Sequence, residues 1–383
     1  MTPISSKLPD VGTSIFTVMS KLALDEGAVN LSQGFPDFPI SEELAEEVMK
    51  AMKAGLNQYA PMPGYPPLLR AISEKVQHTF GWTPNPATEV MVTAGATESI
   101  VCAILTLVKE GDEVIVFEPA YDSYQPCIAL AGGTMVPIPL NFPDYSIPWD
   151  QVEDSITPRT RMIVVNTPHN PSGAILAEND LEHLERLAHK HGIYILGDEA
   201  YEHIIFEGKK HHSLLSRPNL KPWAIAVFSF GKTFHVTGWK IGYMVTHPEL
   251  MVEMKKVHQF LTFSVSTPMQ AGIAAYLSSG DHYSGIGPMF QEKRDLFLDC
   301  IKGTDWKPLA SHGTYFQVVS YDEITKENDY DLAIRLTKEM KVASIPVSVF
   351  YHNRTDHKVL RFCFAKQDET IIQGAEKLCR ILK

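Results

Sequence analysis

Seven short apolar runs recur between residues 89 and 246, and several are separated by segments with the spacing of an amphipathic helix. The runs are Glu89–Thr93, Glu113–Phe117, Met135–Leu140, Arg161–Val165, Ile193–Leu196, Ala224–Phe228 and Ile241–Thr246. Runs as continuous as Ile193–Leu196 are typical of strands that helices cover on both faces of a mostly parallel sheet. The pattern therefore predicts an α/β fold with a three-layer α/β/α domain built on a seven-stranded sheet.

The segments around these runs predict helices and a second, smaller domain. Leu181, Leu184, Leu187 and Ala188 lie three or four residues apart on one helix face, and Gly192 is a suitable residue to end that helix. After about residue 285 we expect a helix, a strand, a helix and a strand, at Met289–Ile301, Tyr315–Val319, Asp331–Met340 and Val359–Phe364. We therefore expect a large domain over 46–285 and a small α+β domain formed by 1–45 and 286–383.

The charges of the chain argue against nucleic acid as a partner. The 383 residues carry a formal net charge of -11, and the Lys and Arg residues are scattered. A nucleic-acid-binding surface needs a basic stripe that neutralises phosphates. No apolar run is long enough to span a membrane, and the N-terminus lacks a secretory signal. We expect a cytoplasmic protein that acts on small molecules.

The sequence contains no metal-binding or nucleotide-binding motif. The five cysteines are widely spaced, which indicates reduced thiols rather than a disulfide framework or a zinc pair. The fifteen histidines form no HExxH motif, and His211 and His212 beside two lysines indicate a solvated loop. GxxxxGK[ST] and GxGxxG are also missing. We therefore expect no metal ion, no P-loop and no dinucleotide site.

Two ionisable residues stand at the ends of predicted strands, where ligands of such sheets bind. Lys232 follows Ala224–Phe228 among small and aromatic residues. Desolvation there lowers the pKa of an amine, which makes it a competent imine former. Asp198 follows Ile193–Leu196, where a buried carboxylate needs a cationic partner. The alternatives are a lysine that reaches the surface and an aspartate that caps the next helix.

Two further segments after predicted strands offer groups that bind ligands. Asn170 offers an amide within Asn166–Gly173, where two prolines fix the backbone, although the segment alone is equally a rigid turn. The second segment precedes a helix, so its free N–H groups can cradle a phosphate, although small-residue turns before helices are common. These N–H groups belong to Gly95, Ala96 and Thr97.

An arginine near the end of the chain is placed where burial is costly. Arg361 alternates with apolar residues in Leu360–Phe364, which predicts a strand. A bidentate clamp on a carboxylate would offset the cost of burying the guanidinium. An internal salt bridge is the alternative.

The motifs together resemble the pyridoxal-5'-phosphate-dependent aminotransferases of fold type I, class I and II, and the resemblance runs from Gly34 to Arg361. In chain order they are TAGATES, EPAYDSY, NTPHNPSG, GDEAYE, SFGKTFHVTGWKIGY and a late Arg. Within that family the chain is most similar to kynurenine/glutamine aminotransferases and bacterial methionine aminotransferases. This similarity lies in LSQGFPDF, NQYAPMPGYPPL, NTPHNPSG and LRFCFAK.

The resemblance implies a role for each residue around the cofactor ring. Lys232 would carry pyridoxal 5'-phosphate as a Schiff base and, once substrate displaces it, shuttle a proton between the substrate and the cofactor. Asp198 would pair with the pyridinium nitrogen, which keeps the ring an electron sink. Asn170 and Tyr201 would bond to the phenolic oxygen of the ring, and Tyr121 would stack on its face.

The resemblance also implies a phosphate site that is shared between two subunits. Many relatives have Arg where this chain has Lys240, and Lys binds phosphate as a point charge rather than as a planar fork. A tyrosine from a partner subunit would complete the site, so we expect a homodimer. The phosphate-binding residues would be Gly95, Ala96, Thr97, Ser229, Lys240 and the partner's Tyr59.

The substrate residues follow from the same resemblance. Arg361 would clamp the α-carboxylate, with help from the backbone of Gly34 and the amide of Asn170. The pocket for the substrate side chain would draw on Phe16, the aromatic residues after Gly34 and the stretch Ile345–Tyr351. No second arginine is obvious there, which favours neutral, long or aromatic amino acids over aspartate. Methionine, glutamine, phenylalanine and kynurenine remain open as donors.

Two other functions fit parts of this pattern. A cysteine-S-conjugate β-lyase has the same fold and cofactor, and fold alone does not separate it from an aminotransferase. A non-catalytic aminotransferase-like ligand-binding protein, such as half of a transcription regulator, is a more distant alternative. We do not expect the second alternative, because few residues precede Gly34 for a DNA-binding domain and the chain is acidic, whereas the β-lyase remains open.

Overall fold

A computed structural model describes residues 4–380. The α-helices are α1 Ile15–Asp25, α2 Glu42–Lys53, α3 Pro66–Phe80, α4 Gly95–Leu107, α5 Tyr124–Leu130, α6 Trp149–Asp154, α7 Glu178–His191, α8 Phe230–Thr233, α9 Pro248–Leu261, α10 Thr267–Ser279, α11 Ile286–Ile301, α12 Asp329–Arg335 and α13 Asp368–Cys379. The strands are β1 Val29–Asn30, β2 Val90–Thr93, β3 Glu113–Glu118, β4 Thr134–Pro139, β5 Thr160–Asn166, β6 Tyr194–Asp198, β7 Ala224–Ser229, β8 Gly242–Thr246, β9 Lys307–Pro308, β10 Phe316–Ser320, β11 Val342–Ala343, β12 Ile345–Pro346 and β13 Val359–Cys363.

The central sheet has seven strands, and each of the seven apolar runs contributes one of them. The strand order is β2-β8-β7-β6-β5-β3-β4. Only β8 runs antiparallel to its neighbours in this sheet, and the other pairs are parallel. The carboxyl ends of six strands therefore meet the amino end of β8 at one edge.

Helices cover both faces of the central sheet, as the continuous runs predict. Val164 and Leu196 belong to a core cluster with α4, α5 and α9. Ile163 and Ile195, one residue earlier in the same strands, belong to a separate cluster with α7. Because neighbouring residues of a strand point to opposite faces, these two clusters lie on opposite sides of the sheet. The three-layer α/β/α prediction is confirmed.

The helix predicted between β5 and β6 ends where the sequence indicates. Helix α7 buries Leu181, Leu184, Leu187 and Ala188 on one face. The residue after it, Gly192, has a φ of 69°, in the left-handed region that a side chain with a Cβ rarely adopts. The amide of Gly192 donates to the carbonyl of Ala188 and so closes the last turn.

A smaller antiparallel sheet of order β12-β13-β10-β9 follows the central one in the chain. Its core includes Phe297, Trp306 and Phe362, packed with α11 and α13. The predicted second helix of this region is α12, and the chain continues from Arg335 as a π-helical turn over Leu336–Met340. Strand β1 near the N-terminus pairs with β11. The division at residues 45 and 285 stays a prediction.

The interpretation of His211 as part of a solvated loop is wrong. Its side chain is buried, and its Nε2 lies 2.7 Å from Oε2 of Glu199. His212, by contrast, is partly exposed beside Glu178. Among residues 4–380, no three His, Cys, Asp or Glu side chains are arranged to hold a metal ion. In the same range, no helix combines the length and the apolar character that crossing a membrane requires.

Candidate active site

A cleft of about 290 Å³ lies at the edge of the central sheet where the strands end. Twelve of the thirteen site residues predicted from the sequence line it. They are Gly34, Gly95, Ala96, Thr97, Tyr121, Asn170, Asp198, Tyr201, Ser229, Lys232, Lys240 and Arg361. Tyr59 is the exception, and its side chain is 80% exposed on the surface of the monomer.

Lys232 lies in α8, directly after β7, and its amine is held by two oxygen atoms in the cleft. Its Nζ donates to the hydroxyl oxygen of Tyr315 at 2.8 Å and to the carbonyl of Gly34 at 3.3 Å. Burial, together with the positive charges of Arg361 and Lys240, lowers the pKa of Lys232 to about 8. Among the described residues no carboxylate forms a salt bridge with it, so the amine is available as a nucleophile.

Asp198 is the last residue of β6, and its carboxylate is buried at the cleft. Its Oδ2 accepts a hydrogen bond from the hydroxyl of Tyr124 at 2.6 Å, and its Oδ1 accepts one from the amide of Ala200 at 3.3 Å. Burial raises the pKa of Asp198 because no cation compensates its charge fully. A turn rather than an α-helix follows this strand, so the helix-cap alternative is wrong.

Two tyrosines form walls of the cleft beside these groups. The ring of Tyr201 packs edge to face against that of Tyr315, with centroids 5.1 Å apart, and the Lys232 amine lies 5.5 Å from the centroid of Tyr201. Burial raises the pKa of the Tyr201 hydroxyl well above its usual value and that of Tyr121 to about 12. Both hydroxyls therefore stay protonated near neutral pH and can donate hydrogen bonds.

One corner of the cleft has the features of an anion site. Helix α4 begins at Gly95, so its first N–H groups have no partner within the helix. The Lys240 amine donates to the hydroxyl of Thr97 at 3.4 Å. Ser229, the last residue of β7, borders the same corner. A positive charge, free N–H groups and a hydroxyl therefore converge where an anion can bind.

Gly242 allows this corner to be compact. A Cβ atom at Gly242 would lie 2.6 Å from the carbonyl oxygen of Phe228 and 2.7 Å from the amide nitrogen of Ala96. Contacts this short would force the backbone apart, because both neighbours are main-chain atoms. The start of β8 can therefore pass under the start of α4 only with glycine at this position.

Arg361 is 1% exposed in β13 and reaches the cleft from the smaller sheet. Its Nη1 donates to Oδ1 of Asn170 at 2.7 Å, and its Nη2 donates to the carbonyl of Ser32 at 2.9 Å. The guanidinium lies 3.9 Å from the ring centroid of Phe316, and its buried Nε has no hydrogen-bond partner among the described residues. Burial lowers the pKa of Arg361 to about 10.

The alternative of an internal salt bridge for Arg361 is wrong within residues 4–380. None of the ion pairs in that range includes its guanidinium. A buried arginine with a free donor is costly to keep unless an anion completes its bonding. The position of Arg361 therefore favours a carboxylate ligand.

Three residues of the site did not emerge from sequence reasoning. Tyr124 holds Asp198, and Tyr315 bonds both the Lys232 amine and the carbonyl of Gly34, the latter at 2.7 Å. Asn166 accepts from the amide of Asn170 and donates to the carbonyl of Asp198. Tyr124 and Asn166 lie inside conspicuous motifs that could have indicated them. Tyr315 has no such signal, because it comes from a distant part of the chain.

Comparison with known proteins identifies the family. The family model for aminotransferase class I and II matches residues 26–378. Methionine aminotransferase of Escherichia coli K12 is 43% identical over 374 residues, which cover 97% of each chain. Kynurenine--oxoglutarate transaminase of Dictyostelium discoideum is 32% identical over 419 residues, which cover 99% of this chain and 96% of that protein.

Solved structures agree with the family model. The crystal structure of an Escherichia coli protein with methionine aminotransferase function superimposes with a TM-score of 0.97 at 42% identity, covering 99% of this chain and 100% of that one. N-succinyldiaminopimelate aminotransferase of Mycobacterium tuberculosis gives a TM-score of 0.95 at 34% identity, with the same coverage. The resemblance seen in the motifs is confirmed, and this chain belongs to the class I and II aminotransferases, which depend on pyridoxal 5'-phosphate.

Proposed function

We propose that this protein transfers the amino group of a neutral or aromatic L-amino acid to a 2-oxo acid. The observation that carries the proposal is the arrangement of three groups in one cleft. They are a lysine amine with a lowered pKa, a buried carboxylate and a buried arginine with a free donor, at Lys232, Asp198 and Arg361. These groups match the aldehyde and ring nitrogen of pyridoxal 5'-phosphate and the carboxylate of an amino acid.

The residues of the cleft fit the cofactor at each end. The buried Asp198 carboxylate forms no salt bridge with a described cation, so it suits a pyridinium nitrogen. The start of α4 suits the phosphate, and Gly95 favours this geometry, because its φ of 75° lies in the left-handed region that other residues rarely adopt. We propose Asp198 and the α4 corner as the two ends of the cofactor site. When bound, the cofactor supplies an electron sink for the α-carbon of the substrate.

Each protein group then has a defined task in the proposed reaction. The Lys232 amine would hold the cofactor and, once freed, would carry a proton from the substrate α-carbon to the cofactor. The hydroxyl of Tyr201 and the amide of Asn170 would donate hydrogen bonds to the ring oxygen. Tyr121 would cover one face of the ring and exclude water. Arg361 orients the substrate by binding its carboxylate through two N–H groups.

The charges along the cleft support a neutral substrate side chain. The cations that line the described cleft are Lys232, Lys240 and Arg361, and each has a proposed task. A dicarboxylic substrate would need a further cation for its distal carboxylate, because a buried carboxylate without one is unstable. Phe16 and Phe316 line the cleft near Arg361 and offer apolar surface instead. Relatives named for methionine and kynurenine fit this preference.

We further propose that the protein acts as a homodimer. Tyr59 packs edge to face on Phe263, with ring centroids 5.3 Å apart, although the Tyr59 side chain is 80% exposed. Phe260 and Leu261, at the end of α9 and shortly before Phe263 in the sequence, are also exposed. A second copy that covers this apolar surface would bring Tyr59 to the phosphate corner of its neighbour. Light scattering during gel filtration tests the mass of the particle.

The visible spectrum of the purified protein tests the proposed reaction. L-Methionine, L-glutamine, L-phenylalanine, L-kynurenine and L-aspartate are each added without any oxo acid. We expect the band of the bound cofactor to shift to that of the aminated form with some of the neutral or aromatic donors and much more slowly with aspartate. A Lys232→Ala variant, prepared in the same way, should show neither the band nor turnover.

Two outcomes of the spectrum would contradict the aminotransferase proposal. A cofactor band that stays unshifted while pyruvate accumulates from a cysteine conjugate would favour the β-lyase. A protein with no cofactor band after incubation with pyridoxal 5'-phosphate would favour a non-catalytic ligand-binding protein.

A further inference from the structure

Two buried glutamates lie next to the residues proposed to bind the cofactor at the end of β6 and in the turn that follows it. Asp198 and Tyr201 line the cleft, whereas Glu199 and Glu202, one residue later in each case, do not. Glu199 is 0% exposed and Glu202 is 4% exposed. A buried carboxylate is costly unless a cation or several hydrogen bonds compensate its charge. The partners of these glutamates therefore show what holds this turn in place.

Glu202 forms a fully buried ion pair with Lys75 of α3. Nζ of Lys75 lies 2.8 Å from Oε1 of Glu202, and both side chains are at most 2% exposed. The hydroxyl of Tyr243 in β8 accepts from Nζ of Lys75 at 3.1 Å and donates to Oε1 of Glu202 at 3.4 Å. The Lys75 amine also lies 5.8 Å from the ring centroid of Phe228 in β7. One ion pair thus joins α3, β7 and β8 to the turn after β6.

Glu199 is held by a second set of partners. Its Oε2 lies 2.7 Å from Nε2 of His211, and its Oε1 accepts from the amide of Leu214 at 3.0 Å. The backbone amide of Glu199 donates to the carbonyl of Val227 in β7 at 2.8 Å. The side chain and the main chain of this residue are therefore both fixed, directly beside Asp198.

We propose that the Lys75–Glu202 and His211–Glu199 pairs are positioning groups that hold Asp198 and Tyr201 in register with the ring of the bound cofactor. The proposal rests on the function proposed above. Neither pair lines the cleft, so both act through the turn after β6. A buried ion pair adds little net stability, because desolvation offsets the attraction, and its directional bonds can instead specify one geometry.

The charges of the Lys75–Glu202 pair depend on each other. Burial lowers the pKa of the Lys75 amine and raises that of the Glu202 carboxyl, while the Coulomb attraction between them opposes both shifts. Removal of one partner alone would leave an uncompensated buried charge and destabilise the whole fold. A double substitution that removes both charges separates a positioning role from a role in stability.

The test uses the double variant Lys75→Met/Glu202→Gln, loaded with pyridoxal 5'-phosphate. The Gln amide can donate to Nε2 of His203, which has no hydrogen-bond partner in the described part of the chain and lies 3.6 Å from Oε2 of Glu202. Two quantities are measured: the pKa at which the visible cofactor band titrates, and the rate at which the cofactor dissociates. The midpoint of thermal unfolding of the apoprotein reports stability separately.

We expect the pKa of the visible band to rise by about half a pH unit or more in the double variant, because a displaced Tyr201 hydroxyl no longer stabilises the ring oxygen as an anion. Cofactor release should become about tenfold faster, because the displaced Asp198 carboxylate would form a poorly aligned hydrogen bond with the ring nitrogen. The unfolding midpoint of the apoprotein should change little. The control Arg294→Met/Glu207→Gln removes another ion pair, at 3.0 Å between Arg294 of α11 and Glu207 of an earlier turn, and should leave the pKa of the band unchanged.

A second variant covers the case in which the double variant does not fold. Tyr243→Phe keeps the ring and removes only the hydroxyl that bridges Lys75 and Glu202. It should raise the pKa of the visible band by a smaller amount than the double variant does. If the variants fold and the pKa of their visible band is unchanged, the positioning role is overturned. This holds also when the unfolding midpoint falls, because the pair would then serve stability alone. Absence of the band from the native protein would instead overturn the proposed function and this inference with it.

Discussion

The substitution Arg361→Lys tests whether the guanidinium binds the substrate carboxylate as a fork. Lysine keeps the positive charge but presents a single nitrogen in place of the Nη1, Nη2 and Nε atoms. In the structure Nη1 and Nη2 already bond Asn170 and Ser32, and Nε is buried without a partner among residues 4–380. A carboxylate that approaches the guanidinium can therefore use Nε together with a second hydrogen of an Nη atom.

The expected loss follows from the number of bonds that lysine cannot make. One charge-assisted hydrogen bond is worth about 1.5–3 kcal/mol, so reducing two bonds to one lowers kcat/KM by about 10- to 150-fold. The charge itself remains, which limits the loss. Arg361→Met, which removes the charge as well, should lower kcat/KM further.

The assay measures the two half-reactions separately by rapid mixing, with the amino acid and then with the 2-oxo acid. Both substrates present a carboxylate next to the reacting carbon, so both half-reactions should slow by a similar factor. The band of the bound cofactor should stay at its native wavelength, because Arg361 is not proposed to touch the cofactor. A loss confined to one half-reaction, or an unchanged kcat/KM in both, would refute the role of Arg361.

The remaining predictions concern the cofactor site. Burial lowers the pKa of Lys232 to about 8. When pyridoxal 5'-phosphate is added to the apoprotein, the rate at which the cofactor band returns should therefore rise with pH and be half-maximal near pH 8. A midpoint near pH 10.5 would contradict the lowered pKa. Asp198→Ala should weaken cofactor binding by about 100-fold in equilibrium titration, because a buried charge pair is lost. Gly242→Ala should cost about 1–3 kcal/mol in denaturant unfolding, because its Cβ would overlap main-chain atoms of Phe228 and Ala96.

Much of the fold could be predicted because strands that are buried on both faces of the sheet have continuous apolar sequences. The run Ile193–Leu196 corresponds to β6, which begins one residue later and ends two residues later, at Asp198. The spatial order of the strands could not be predicted in this way, because an apolar run does not specify its neighbours. The edge position of β2, next to β8, depends on pairing between residues about 150 positions apart, such as Val92 with Tyr243.

The site residues could be predicted where one motif carried them, and contacts between distant segments could not. Tyr315 reaches Lys232 from a segment that precedes β10, and nothing in its own sequence marks it as a donor. The burial of His211 could not be predicted from its immediate neighbours in the sequence. Two neighbouring lysines indicate solvent, whereas the partner that buries this histidine, Glu199, lies twelve residues earlier in the chain.

The single reversed strand of the central sheet explains how one short segment supplies so much of the site. A parallel neighbour of β7 would need a long crossover, usually a helix, before it could enter the sheet. Only residues 230–241 separate β7 from β8, and they hold the short helix α8 with Lys232 and then Lys240. This link forms the short helix α8 and a 3₁₀ turn at Thr237–Trp239 rather than a crossover helix packed on the sheet, and β8 enters the sheet in the opposite direction. Its amino end therefore meets the carboxyl ends of the other strands, and the amine and the anion site lie in the same cleft.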